Sequence, residues 1–183
     1  MRFIQKYYCF LFVFLFSFCS QTLDFEQTEG YTIAPVFNSS IAFFSIDASG
    51  FSMPTGGTTP VFEIEEIAEF KLFQNQLIKN NLVRIDFDFE IENNFNRDFT
   101  IQISLLDEGE NVIYNLEDLN INANNTSFTQ TEIIDVTQNI EVKNFTKVLL
   151  NIRLNDTVTP INNSDLSVLN FKSGATIYLE TSL

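Results

Sequence analysis

The chain has 183 residues, with 24 acidic against 10 basic side chains, a net charge of −14, and neither His nor Trp. A surface of that sign repels phosphate, which argues against nucleic acid and anionic lipid headgroups as partners. Both cysteines, Cys9 and Cys19, lie near the N-terminus. The body of the chain therefore has no means of building Ser-His-Asp or Cys-His nucleophiles, His or Cys zinc sites, or a haem held by His or Cys.

Residues 1–18 read as a signal peptide. Arg2 and Lys6 form a basic start with no acid, and residues 7–16 are an unbroken apolar or aromatic run. That run is too short to cross a membrane, which takes about 20 apolar residues. It ends at Ser17-Phe18-Cys19, a point where bacterial lipoproteins are cut and acylated on the Cys, although such signals usually carry a small residue directly before it. Ordinary cleavage beside Ser17 is the alternative. Lipidation of Cys19 is favoured, because no disulfide partner exists for it outside the signal. Removing residues 1–18 takes away two basic residues and no acidic one, so the mature chain is more acidic still. Residues 19–30 form the lipid-anchored tether, and residues 31–183 are long enough for one domain with its own core.

In chain order, residues 31–37, 41–47 and 61–67 read as strands, separated by a loop at 48–60 that holds three glycines and two prolines. Phe51 and Met53 lie in this loop; they are a candidate partner-binding tip, but folding back onto the mouth of the domain is the favoured reading. The clearest alternation follows. Val83, Ile85, Phe87, Phe89 and Ile91 fall on one side of a strand, and Arg84, Asp86, Asp88, Glu90 and Glu92 on the other. After the turn-forming residues 93–98 the alternation resumes with Phe99, Ile101, Ile103 and Leu105, and the two segments are expected to pair as an antiparallel hairpin. The strand carboxylates stand about 7 Å apart, too far for one ion, and read as a solvated face.

Asp107, Glu108 and Glu110 flank Gly109 in a tight turn. They are the candidate metal ligands, for Ca2+, against the reading of an ordinary turn. Further strands are expected at 112–116, 127–134, 147–154 and 175–180. A short helix is expected at 136–145, where Asp135 and Gln138 stand at capping-box spacing. Many short strands between turn clusters predict an all-β fold, an antiparallel β-sandwich of immunoglobulin-like or similar type.

Cys19-Ser20 followed by Leu23-Asp24-Phe25-Glu26-Gln27, the strand 83–89 leading into Asn93-Asn94-Phe95-Asn96-Arg97, and Phe171-Lys172-Ser173-Gly174 before a last strand together resemble predicted envelope lipoproteins of flavobacteria and related Bacteroidota. The resemblance spans most of the chain. It implies an anchor in the cell envelope, at the outer membrane and facing the periplasm, and it carries no activity. The expected function is structural or partner-binding, without catalysis or a cofactor, with the membrane as one partner through the lipid and an envelope protein as another. The alternatives are a calcium-dependent adhesion or glycan-binding module, and a hydrolase built on paired carboxylates.

Overall fold

The computed structural model describes residues 31–51 and 62–182, apart from positions 157, 160 and 163. The signal segment, Cys19, the tether and Met53 lie outside the described residues. Alternating apolar and polar side chains form β1 (Thr32–Ile33), β2 (Val36–Asp47), β3 (Glu63–Glu69), β4 (Leu82–Asn93), β5 (Phe99–Leu106) and β6 (Val112–Asn115). They continue with β7 (Leu119–Ile121), β8 (Phe128–Asp135), β9 (Lys147–Leu154), β10 (Val168–Leu179) and β11 (Thr181–Ser182). One short helix, α1 (Gln76–Asn81), precedes β4. Strands β2 to β10 lie within a single compact unit, Ile33–Thr181.

Two antiparallel sheets make up that unit. The first has the order β2-β10-β4-β8, and the second β3-β9-β5-β6 with β7 also paired to β5. From β2 to β5 the chain changes sheet at every step, and it does so again through β8, β9 and β10. That is the connectivity of a jelly roll, the double Greek-key form of the β-sandwich. The expected sandwich is thus observed, with jelly-roll rather than immunoglobulin connectivity.

The 83–105 hairpin is not formed. β4 pairs with β10 and β8, whereas β5 pairs with β9, β6 and β7 in the opposite sheet. Asn93 redirects the chain. It is fully buried, its side-chain amide donates to the carbonyls of Arg97 (2.8 Å) and Asn122 (2.9 Å), and its Oδ1 accepts from the Phe95 N–H (3.0 Å). These bonds close an arch across the sheets, so that Phe95 and Phe99 enter the core.

The core lies between the sheets. Ile85, Phe87, Phe89 and Ile91 of β4 and Phe171, Ala175 and Ile177 of β10 face Ile101, Ile103 and Leu105 of β5 and Leu150 and Ile152 of β9. Phenylalanines close both ends. Phe51 packs on Phe95 and Phe99 (ring centroids 6.1 and 5.3 Å apart), and at the other end Phe70 stacks on Phe145 at 4.7 Å while Phe73 meets both edge-on at 5.2 and 5.1 Å. Burying rings of this size is worth about 1.5–3 kcal/mol each, the burial a fold without disulfides depends on.

The helix expected at 136–145 is instead a turn followed by a 3-10 segment, Ile140–Asn144. The Asp135 carboxylate accepts from the Thr137 N–H (2.8 Å) and hydroxyl (2.6 Å), which fixes a local turn. Val136, Thr137, Ile140 and Val142 are all β-branched and resist an α-helical backbone. The helix that does form, α1, starts where the Asn75 side chain caps the Leu77 N–H at 3.0 Å.

Candidate functional site

The outward face of the first sheet carries rows of polar side chains. Pairing registers order it in rows across the strands. Ser45, Asn170 and Glu92 form one row; Phe43, Lys172, Glu90 and Thr129 the next; then Ser40, Gly174, Asp88 and Thr131; then Asn38, Thr176, Asp86 and Ile133; and last Val36, Tyr178, Arg84 and Asp135.

Each carboxylate of β4 has its own neighbour. Arg84 grips Asp86 through two bonds of 2.6 Å, from Nε to Oδ1 and from Nη2 to Oδ2, and Asp86 is only 7% exposed. The Arg84 guanidinium stands 4.7 Å over the Tyr178 ring. The hydrogen bond between Tyr178 and Asp86 raises the phenol above its usual pKa, and the same carboxylate raises that of Arg84. Thr131 donates to Asp88 Oδ1 (2.6 Å), Lys172 lies 3.7 Å from Glu90, and Asn170 donates to Glu92 (3.1 Å). The acidic strand therefore does lie beside neutral or basic neighbours, as its tolerance of charge requires, but on β10 and β8 rather than β5.

Gly174 interrupts these rows. Without a side chain there, the face sinks into an open depression of about 440 Å³ lined by Asn38, Ser39, Ser40, Asp88, Ala175 and Thr176. The register between β2 and β10 shifts between Ser173 and Gly174, and the Ser173 hydroxyl accepts from the Ala42 N–H at this bulge (3.1 Å). One row away, Phe43 is 74% exposed.

The other predicted site residues are scattered. Phe51 is 1% exposed, inside the core rather than on a loop tip, because the 3-10 turn Ala48–Phe51 carries it back between Phe95 and Phe99. It presents no surface to a partner. At the 107–111 turn both oxygens of Asp107 accept from the Asn111 amide (3.1 Å each), and Oδ1 also accepts from its N–H (2.9 Å). Those bonds lower the pKa of Asp107, the backbone N–H being the largest cause. Glu110, at φ 65°, is held by Lys147 at 2.6 Å. The three candidate ligands do not converge, and among the described residues no group of three or more acidic, His or Cys side chains is placed to hold a metal. An inward carboxylate was not foreseen. Glu132 sits at the register of Phe87 on the edge strand β8 and accepts from the Glu117 N–H (2.8 Å), and burial raises its pKa.

The Gly174 depression had one signal in the sequence. An isolated Gly beside strand pattern marks a bulge or a close approach. Here it made the last strand look shorter than it is.

No protein-family model matches the chain, and no curated protein sequence does. Among solved structures, a "putative secreted protein" from Parabacteroides distasonis superposes with a TM-score of 0.49 at 14% identity, over 63% of this chain and 37% of that one. Infectious bursal disease virus Gx strain gives 0.42 at 8% identity over 82% and 32%, and the enzymatically active domain of bacteriophage CBA120 tailspike protein 4 gives 0.36 at 12% over 81% and 19%. The chain thus spans well under half of each of these. Among the described residues no helix is long and apolar enough to cross a membrane.

Proposed function

We propose that the chain is an exported envelope protein, held at a membrane by acylation of Cys19, whose sandwich serves as a structural or binding module rather than as an enzyme. The observation that carries this reading is Cys19 itself. It follows a basic start and a short apolar run, and every residue after it is free of cysteine. Two or more acyl chains give stable membrane residence where a single chain is marginal. Outer-membrane residence with the domain on the periplasmic side, beside an envelope protein partner, belongs to the same reading.

Binding rather than catalysis is supported by how the acids are used. Asp86 is committed to Arg84 on the first sheet, and in the 107–111 turn Asp107 is committed to Asn111 and Glu110 to Lys147. Glycoside hydrolysis by two carboxyl groups needs a pair facing one bond, with one of them held protonated.

The test is fractionation of cells that express the wild type and Cys19→Ala. The wild type should sediment with membranes, and the variant should be recovered in the soluble fraction. Retention of Cys19→Ala with membranes would refute acyl anchoring.

A further inference from the structure

We propose that the outward face of the first sheet, centred on the depression at Gly174, binds a neutral saccharide. Polar side-chain groups are left unused there. β10 and β4, which carry Gly174 and Asp88, are paired on both sides, and the free edge of β2 lies on the side away from β10, so the face itself offers no open edge for an added peptide strand. Recognition must come from side chains. Those that line it are short and hydroxylic, amidic or anionic: Asn38, Ser40, Asp88 and Thr176. Asn38 Oδ1 accepts from Thr176 (2.9 Å), which leaves the Asn38 NH2 as a donor. Asp88 Oδ1 accepts from Thr131, and Oδ2 remains as an acceptor. A carboxylate oxygen, an amide NH2 and a hydroxyl at one spot match the paired donors and acceptors of neighbouring sugar hydroxyls.

Phe43 adds the second element. Most phenylalanines of the described domain are buried in the core or packed against it, whereas Phe43, more exposed than Phe37 of the same strand, is 74% exposed and adjoins the depression from the next row. Its ring is a flat apolar platform of the kind that covers the C–H face of a pyranose. Toward the other end of the same face, Tyr178 stands six residues from Lys172 along β10, about 20 Å away, with its ring beneath Arg84. The strip between Phe43 and Tyr178 is longer than one sugar ring and suits an oligosaccharide.

Charge selects within this class. The cations on the strip are already engaged, Lys172 with Glu90 and Arg84 with Asp86. The protein is strongly acidic overall, so uronic acids and sulfated sugars are repelled. The envelope reading bears only on where such a ligand would be met, because binding by the purified chain does not depend on the anchor.

The experiment is saturation-transfer NMR and calorimetry on the full chain in a sugar-free detergent. The probes are neutral hexasaccharides of glucose, mannose, xylose and N-acetylglucosamine, with polygalacturonate and neutral hexapeptides as controls. At least one hexasaccharide should bind and both controls should not. Gly174→Thr fills the depression: a Cβ there meets only the Ser39 carbonyl oxygen at 3.4 Å, an ordinary contact. It should keep the thermal midpoint and weaken binding at least tenfold. Phe43→Ala, on an exposed side chain, should do the same by a separate route. The proposal is overturned if none of the four hexasaccharides binds, if the peptides bind as well as the sugars, or if Phe43→Ala binds like the wild type. Loss of membrane retention in Cys19→Ala bears on the anchor alone.

Discussion

Asn93 has no solvent to fall back on, and its side chain bonds three main-chain groups: the carbonyls of Arg97 and Asn122, the latter also accepting from the Asn125 N–H at 3.3 Å, and the Phe95 N–H. Each buried polar group left unpaired costs about 1–3 kcal/mol. Asn93→Ala is therefore expected to lower the unfolding free energy by about 2–4 kcal/mol in urea titration, with a loss under about 1 kcal/mol contradicting this account. Asn93→Asp should be at least as damaging, because it sets a carboxylate against the two carbonyls that now accept hydrogen bonds. At Phe51 the residue scale teaches a different lesson. An aromatic flanked by Gly and Ser can stand at a loop tip or fold back, and Phe51 folds back, between Phe95 and Phe99 beside the arch made by Asn93.

At the scale of elements, period-two alternation states which face a residue occupies and is silent about which strand lies beside it. The alternation of β4 and β5 was therefore legible, while their placement in different sheets was not; that choice rests on one buried amide. The run 147–154 coincides with β9 because its apolar residues alternate without interruption. Two elements left no legible pattern: β7 has three residues, and α1 is a six-residue helix that depends on the Asn75 cap. The depression at Gly174 was legible only as an isolated glycine, since it is made by the absence of a side chain and by neighbours on two other strands. Edge strands carry a further device. Glu66 of β3 occupies an inward register position beside Leu150, yet it is exposed, and on β8 Glu132 occupies an inward position half-buried. Inward charges on edges discourage pairing with another sheet. Glu66→Val should leave the monomer folded and raise its average mass with concentration in sedimentation velocity; a mass unchanged from the wild type would remove this role.

For the whole molecule, the charge balance and the local hydrogen bonds of its acids act in opposite directions as pH falls. Burial holds the Glu132 carboxyl above the ordinary Glu value of 4.5. The folded state then binds a proton that the unfolded state does not, so this group favours folding increasingly as pH falls from neutral toward 4.5. Relief of repulsion among 24 acids, in a chain of pI about 4.1, acts in the same direction. Asp47, Asp107, Asp135, Asp156 and Asp165 behave oppositely. Each accepts hydrogen bonds from residues just ahead in the chain, from Ser49, Asn111, Thr137, Val158 and Ser167 foremost, and these hold it below the ordinary Asp value of 3.8. Their support for the fold is complete above 3.8 and is lost as pH falls through the depressed values. Thermal stability should therefore rise from pH 7 to a maximum near pH 4–5 and fall steeply below it, about where the two groups of acids exchange control. Glu132→Gln should flatten the rise between neutral pH and 4.5 while leaving the acid limb in place. A stability that declines steadily from pH 7 to pH 5 would show that neither burial of Glu132 nor the overall negative charge governs this fold.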